Sequence, residues 1–336
     1  MRVSIVVPVY NEIEVLPKLL STLERVMAGT ACDYEIILVD DGSTDGSVPL
    51  LKSAAAADAR VKVLFFGRNF GHQAAITAGL DQASGDAVAV IDADLQDPPE
   101  LLLDMIELLN HGYDVVSAQR TGRDGESPVK RLTATFFYWV MRRMVDERIQ
   151  PEVGDFRMFS RRAVIAIRQL REQHRFMRGM VAWLGLKEVI LPYHRNARVA
   201  GTTKYSTWKM LRLAWTAISS FSALPLRLTI WFGFFVTAVG FGYAFYSIFA
   251  ETVLHSTVPG WTSLVCLNIV FSGATLMAIG LVGDYIARIY EEAKGRPLYV
   301  VTESANVAAR QAPTTRGVIL TVDDSHERQT EAADRV

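Results

Sequence analysis

The stretch Val88-Ala-Val-Ile-Asp-Ala-Asp-Leu-Gln-Asp-Pro-Pro-Glu100 decides the fold. The apolar run Ala87 to Ile91 has the composition of a parallel strand buried on both faces. It ends in Asp92 and Asp94, two carboxylates two residues apart, with the Gln96 amide two further on. Pro98 and Pro99 then suit the first turn of a helix, where a missing N–H costs nothing. Carboxylates at the carboxyl end of such a strand sit where open α/β sheets bind ligands. Hard oxygen donors at this spacing suit Mg²⁺ or Mn²⁺, a metal that usually shares its shell with substrate phosphates. Taken alone, the same residues are equally well an acidic, solvated strand end.

The flanking sequence repeats the pattern. Apolar runs at Arg2–Val9, Tyr34–Val39, Val61–Phe66 and Tyr113–Ser117 read as further strands. Helical spacing follows them, as in Leu16, Leu19, Leu20 and Leu23. Five strand–helix alternations predict a parallel, doubly wound sheet with right-handed crossovers. Polar segments fall just after the strands: Pro8-Val-Tyr-Asn-Glu12, Asp40-Asp-Gly-Ser-Thr-Asp-Gly46, and Gly67-Arg-Asn-Phe-Gly-His-Gln73. Asp, Gly and Ser are ordinary turn residues, but four such loops in succession point to a ligand site. Neither a Gly-x-Gly-x-x-Gly after the first strand nor a P-loop is present.

Composition bounds the class. The chain has 336 residues, half of them hydrophobic, and a formal net charge of −1. That balance hides an asymmetry. Residues 1–119 carry 7 basic and 18 acidic side chains, whereas 120–231 carry 21 basic and 8 acidic. An acidic front suits a metal; a basic middle suits phosphates or an anionic membrane surface. No zinc spacing or RNA-binding signature argues for nucleic acid. The cysteines, Cys32 and Cys266, offer no disulfide framework, which fits a reducing compartment. The short run Val3–Val9 leads straight into Asn11-Glu12 and does not read as a signal peptide.

The second half changes character. Residues 121–150 combine a Gly- and Pro-bearing loop with an aromatic, basic-flanked segment suited to core packing or a membrane interface. Val153-Gly-Asp-Phe-Arg157 is a further acid–base cluster, and Ser160 is placed to cap a helix. Lys187–Tyr193 reads as a strand, and Arg198-Val-Ala-Gly-Thr-Thr-Lys-Tyr205 as a basic loop for phosphate. Thr207–Phe221 carries Trp208, Leu211, Trp215 and Ile218 on one helical stripe. Leu228–Ala250 and Trp261–Gly283 are apolar spans long enough to cross ~30 Å of hydrocarbon. Lys and Arg cluster before and after the pair, so both termini are expected in the cytoplasm.

With these motifs in place, the sequence resembles family 2 glycosyltransferases of the polyprenyl-phosphate branch, which includes dolichol-phosphate mannose synthases and bactoprenol glucosyltransferases. The resemblance runs from residue 3 to about 296. It rests on Pro8–Glu12, Asp40–Gly46, Arg68–Ala74, Asp92–Gln96, Gly154–Arg157 and Arg198–Lys204. It implies a GT-A (Rossmann-like) α/β domain over 1–205, a juxtamembrane amphipathic helix over 206–227, and a transmembrane hairpin over 228–286 with spans 228–250 and 261–283. A cytoplasmic segment over 287–336 follows, disordered from about 305. The implied partners are a nucleotide-sugar donor, a polyprenyl (undecaprenyl) phosphate acceptor, the bilayer and further copies of the chain, with Mg²⁺ or Mn²⁺ as cofactor. Pro8, Tyr10, Glu12, Asp40 and Asp92 would line the nucleotide, and Asp94 and Gln96 the metal. Arg120, Arg131, Arg198 and Lys204 would meet phosphates.

Asp155 occupies the position assigned as catalytic acid/base, with Arg157 beside it. A phosphate monoester is largely ionised at pH 7, its second pKa being about 6. Asp155 is therefore expected to orient Arg157 or the acceptor phosphate more than to remove a proton. The resemblance favours UDP-glucose, ahead of UDP-N-acetylglucosamine and GDP-mannose. A processive polysaccharide synthase would carry a Gln-x-x-Arg-Trp motif, absent here. A non-catalytic nucleotide sensor would not need Asp92, Asp94, Gln96 and Asp155 together.

Overall fold

The computed structural model describes residues 1–121, 153–194, 224–253, 260–307 and 317–319. The chain divides into two compact units, Met1–Met210 with Arg296–Val336, and Leu211–Gly295.

The first unit is built on a sheet. Strands β1 (Arg2–Val9), β2 (Asp33–Asp40), β3 (Val61–Phe66) and β4 (Ala87–Val90) are the apolar runs anticipated above, now in parallel pairs. Helices α1 (Leu16–Ala28), α2 (Ser47–Ala57), α3 (His72–Gln82) and α4 (Leu101–Asn110) alternate with them. Helix α1 buries Leu16, Leu19, Leu23, Val26 and Met27 against the sheet. The two prolines form the turn that leads into α4, with Pro98 and Pro99 carbonyls accepting from Leu101 and Leu102 N–H. Helix α3 lies so close to β1 that a Cβ on Gly79 would fall 2.1 Å from Val6 Cγ1. Only glycine permits that approach, and α3 carries the residues that reach the site.

The sheet continues through β5 (Val115–Arg120), β6 (Val153–Ser160) and β7 (Glu188–Tyr193), with β8 (Tyr299–Ala305) and β9 (Gly317–Ile319) added from the C-terminal segment. The order is β7-β5-β6-β4-β1-β2-β3-β8-β9. The expectation of a wholly parallel sheet is corrected at two places. Strand β6 runs antiparallel between β4 and β5, and β8 runs antiparallel to β3. The pattern of β6 was hidden because Asp155 and Arg157 interrupt what Phe156, Met158 and Phe159 would otherwise make an apolar run. Ser160 caps the next helix, α5 (Arg161–Gln169), as expected, its Oγ accepting from Ala163 N–H at 3.2 Å. A short helix α6 (Met177–Leu184) follows.

The C-terminal segment begins on a built edge, and most of the tail expected to be disordered from about 305 lies outside the described residues. Tyr299 stacks on Phe66 with ring centroids 5.4 Å apart, and its hydroxyl donates to Asp81 at 2.9 Å. Asn306 Nδ2 donates to the Ala55 and Val61 carbonyls. Strand β9 then pairs parallel with β8.

The second unit holds α7 (Leu224–Thr252) and α8 (Trp261–Ala293). At 1.5 Å per residue these are about 43 and 50 Å long, against ~30 Å of bilayer hydrocarbon. They are candidate membrane spans over Leu224–Ala250 and Leu267–Ala293, with none of the apolar windows buried in protein. Helices apolar all round and yet uncovered are not core helices. Three of their hydroxyls are satisfied within the helix: Thr229, Thr252 and Thr275 each donate to the carbonyl four residues back. The second helix continues past the predicted span into a polar end with an Asp284–Arg288 pair at 3.1 Å. The amphipathic segment Thr207–Phe221 lies outside the described residues, as does the aromatic segment within 122–152.

Candidate active site

The carboxyl ends of β1, β2, β3 and β4 converge, as the sequence requires of a parallel sheet. Loops after β1 and β2 are stitched together by side chains. Asn11, at φ 57°, accepts from Thr44 N–H at 2.7 Å and donates its own N–H to Ser43 Oγ at 2.9 Å. Asp45 accepts from Ile13 N–H, and Glu12 N–H reaches Ser47 Oγ at 3.3 Å. Pro8 lies in β1 opposite Val39, and Tyr10 is exposed at the rim. Asp40 is buried and accepts from Ser43 N–H at 3.2 Å. Burial pushes its carboxyl above the ordinary range, against the Ser43 hydrogen bonds.

Asp41 shapes the next loop. Its carboxylate accepts from Phe70 N–H at 2.6 Å and from Gly71 N–H at 3.0 Å. Gly42, at φ +75°, lets the β2 loop press on this one, because a Cβ there would stand 2.8 Å from the Arg68 carbonyl carbon. The loop so held presents His72 and Gln73 at the start of α3.

Strand β4 delivers Asp92 and Asp94. Leu95 follows at φ 54°, a left-handed conformation costing a residue with a Cβ roughly 1–2 kcal/mol. The turn lets Gln96 N–H donate to Asp94 Oδ1 at 3.1 Å. It leaves Gln96 Oε1 buried, with no hydrogen-bond partner among the described residues. An orphaned amide oxygen beside a carboxylate is a hard-donor pair, so the two residues fit a divalent cation that takes its remaining ligands from substrate oxygens. The described residues contain no group of three or more His, Cys, Asp and Glu that would hold a metal by itself.

The antiparallel β6 brings in the remaining acid. Val90 pairs with Arg157, and the same register continued past the end of β4 sets Asp92 across from Asp155. His72 Nε2 bridges the two carboxylates, 3.5 Å from Asp92 Oδ1 and 3.3 Å from Asp155 Oδ2. Gln73 Nε2 donates to Asp155 Oδ2 at 3.1 Å, and Arg178 Nε stands 3.7 Å from Oδ1. Burial pushes Asp155 up, but the His72 hydrogen bond and the Arg178 charge outweigh it and hold the carboxyl well below the usual range. Burial works against the His72 imidazolium, but Asp155 and Asp92 raise its pKa above the ordinary value. Asp92 is pushed up to about 6 by burial and by Asp155, Asp97 and Asp94, with His72 opposing.

Arg157 is placed otherwise than expected. Its side chain is buried, donates Nε–H to the Gly154 carbonyl at 3.3 Å, and pairs with Glu188 on β7 at 3.6 Å. Among the described residues no ion pair within 4 Å links it to Asp155, whose direct partners are His72, Gln73 and Arg178, although the Arg157 charge also helps hold that carboxyl down. Arg120 is braced at the strand end by Tyr193 Oη at 3.1 Å and Asp97 at 3.6 Å. Tyr193 in turn donates to Asp97. Arg131, Arg198 and Lys204 lie outside the described residues. Sequence reasoning quoted His72 and Gln73 within a motif without giving them a role, and it missed Arg178 altogether. Nothing in the local pattern around Arg178 marks it, because its place depends on β6 and on the α6 packing.

The chain is similar to known proteins. The family described as "Glycosyl transferase family 2" matches residues 4–168. A Bacillus subtilis (strain 168) protein, the uncharacterized glycosyltransferase YkcC, is 46% identical over 304 residues, covering 90% of this chain and 94% of that one. The SfII prophage-derived bactoprenol glucosyl transferase of Shigella flexneri is 40% identical over 304 residues, 90% of this chain and 98% of that one. Among solved structures, mannosyl-3-phosphoglycerate synthase from Rubrobacter xylanophilus aligns over 68% of this chain and 74% of its own, at 19% identity and TM-score 0.45.

Proposed function

Since the chain belongs to glycosyl transferase family 2 and is a glycosyltransferase, we propose that it transfers one glucose from UDP-glucose to polyprenyl phosphate at the cytoplasmic membrane face, inverting the anomeric carbon. The observation that carries this reading is the course of the chain. The polypeptide leaves the carboxylate-lined unit, runs through two helices of bilayer length, and returns as β8 to the edge of the same sheet. A segment bounded on both sides by one soluble unit crosses a bilayer an even number of times. That agrees with a two-span hairpin over 228–286 and with both termini on the cytoplasmic side, as the flanking Lys and Arg suggest. An acceptor whose tail stays in the bilayer requires a site at the headgroup plane. The 40% identical bactoprenol glucosyl transferase supports the choice of sugar and lipid. Self-association in the membrane belongs to the same reading.

In this mechanism the lipid phosphate oxygen attacks the anomeric carbon as the bond to the nucleoside diphosphate breaks. The acceptor is already ionised near pH 7, with a second pKa of about 6. Asp155, held ionised by His72, Gln73 and Arg178, is a poor proton acceptor and a good anchor for the groups around it. Tyr10 and the stitched loops after β1 and β2 line the donor side. Mg²⁺ or Mn²⁺, held by Asp94 and Gln96, would offset charge on the departing diphosphate. Arg120, braced by Asp97 and Tyr193, offers a fixed cation beside the same strand end.

The test is a donor panel. Detergent-purified full-length protein receives undecaprenyl phosphate, Mg²⁺ or Mn²⁺, and UDP-glucose, UDP-N-acetylglucosamine, UDP-galactose or GDP-mannose in turn, with products read by mass spectrometry. One hexose on the lipid phosphate from UDP-glucose is the expected result. Product from another donor alone would replace the sugar, polymer would replace single transfer, and no lipid product from any donor would overturn the reading.

A further inference from the structure

Among the described residues, Arg120, Arg157 and Arg178 stand near the acids of β4 and β6, and the first two are occupied. Arg157 is committed to Glu188 and the Gly154 carbonyl, and Arg120 to Tyr193 and Asp97. Arg178 differs. Its guanidinium lies 3.7 Å from Asp155 Oδ1, beyond hydrogen-bond distance, and makes no hydrogen bond among the described residues. Its side chain remains 27% exposed. The five N–H donors of its planar cation are thus without a hydrogen-bond acceptor among the described residues, beside Asp155.

The position is built. Gln73 donates Nε2–H to Asp155 and accepts the Met177 N–H at Oε1, 3.3 Å, so one side chain ties the start of α6 to the Asp155 carboxylate. Arg178 is the next residue along that helix. Asp155 would keep His72 and Gln73 if Arg178 turned away, so releasing the arginine does not strand a buried charge. An incoming phosphate dianion needs a cation able to exchange partners, and an ion pair at 3.7 Å with no hydrogen bond between its members is that kind of cation.

We infer that Arg178 is a further residue that receives the acceptor phosphate, exchanging its 3.7 Å pairing with Asp155 for bidentate hydrogen bonds to the phosphate oxygens. This rests on the reading of the acceptor as a prenyl phosphate. Gln73 acts through α6 as a positioning residue, and Asp155 holds the empty site in register for the exchange.

The experiment uses full-length protein in detergent and the short acceptor farnesyl phosphate, with farnesol as the control lacking phosphate. Binding of labelled farnesyl phosphate and of UDP is measured for wild type, Arg178→Gln and Arg178→Lys, beside turnover with the donor panel. Arg178→Gln is expected to weaken farnesyl phosphate on the order of 10- to 100-fold, the worth of hydrogen bonds to a charged group. UDP affinity should stay within about twofold and farnesol binding should not change, because the loss is confined to a phosphate contact. Arg178→Lys should recover part of the affinity by restoring charge without the planar fork. Farnesyl phosphate bound by Arg178→Gln as tightly as by wild type would overturn the inference, and so would parallel loss of UDP affinity in both variants. If wild type binds farnesyl phosphate but no donor yields product, the transfer reading fails while the binding comparison still decides Arg178. If wild type does not bind farnesyl phosphate at all, both fall.

Discussion

At the amino end of the sheet, away from the site, Glu35 on β2 is a carboxylate with no exposed surface and five donors. Ser4 Oγ stands at 2.6 Å, Ser84 N and Oγ at 2.8 and 2.9 Å, Lys62 Nζ at 2.6 Å and Arg2 at 3.1 Å. These donors come from β1, β3 and the turn before β4, so one side chain fastens the central strands. Burial pushes its carboxyl up, but Lys62 and the serines bring it down to about 2 from an ordinary 4.5. At about 1.4 kcal/mol per pKa unit, that difference is worth about 3 kcal/mol at neutral pH. The folded pKa is depressed, so this stabilisation is complete above the unfolded value of 4.5 and fades as pH falls from there toward 2.

Glu35→Gln removes the charge, keeps the shape, and turns an amide NH₂ toward donors. With 1 kcal/mol shifting the midpoint by roughly 2–4 °C in a unit of this size, the variant should melt about 6–12 °C lower at pH 7. The assay is thermal loss of UDP binding by the full-length protein in detergent, at pH 7, 5, 4 and 3. The gap between wild type and variant should persist to about pH 5 and close below it. A gap that does not change with pH, or one under about 2 °C at pH 7, would refute the carboxylate's role.

Other outcomes follow from the site. Asp155→Asn should lower kcat by at least about 100-fold through loss of positioning, and raising the pH should restore none of it; recovery at high pH would mark a general base. Asp94→Ala should abolish the enhancement of UDP binding by Mn²⁺, measured calorimetrically, while leaving metal-free UDP binding in place; unchanged Mn²⁺ enhancement would remove Asp94 from the metal set. Gly42→Ala, with a Cβ 2.8 Å from the Arg68 backbone and a left-handed φ, should displace the loop carrying His72. A destabilisation of about 1–3 kcal/mol and a raised KM for acceptor are expected, and wild-type melting and kinetics would show that the loops are not in register.

Much of the fold was legible because its signals are local. The apolar runs at Arg2–Val9 and Val61–Phe66 end within a residue of the observed strands, and Leu16, Leu19 and Leu23 mark the buried stripe of α1. Asp40, Asp92, Asp94 and Gln96 announce themselves as polar residues at apolar strand ends. Arg157, expected to be oriented by Asp155, pairs directly with Glu188 and acts on Asp155 through its charge. In a strand the two side chains share a face, yet Arg157 stands 3.6 Å from the carboxylate of Glu188, a residue of another strand. Strand β8 gave no signal, since its seven residues follow an apolar helix and carry Thr302, Glu303 and Ser304.

The amino-acid sequence by itself determined that β1 to β5 are strands, which loops carry the acids, and which two segments are apolar enough for a bilayer. Hydrophobic periodicity and turn chemistry act over a few residues and can be read along the chain. Tertiary structure alone decided that β6 enters between β4 and β5 in reverse, that Asp92 thereby faces Asp155, and that His72, Gln73 and Arg178 close around them. It also decided that the chain beyond the hairpin returns to β3. Those choices are set by which strand edge still has open N–H and C=O groups and which buried charges still need partners, and both are properties of the assembled sheet.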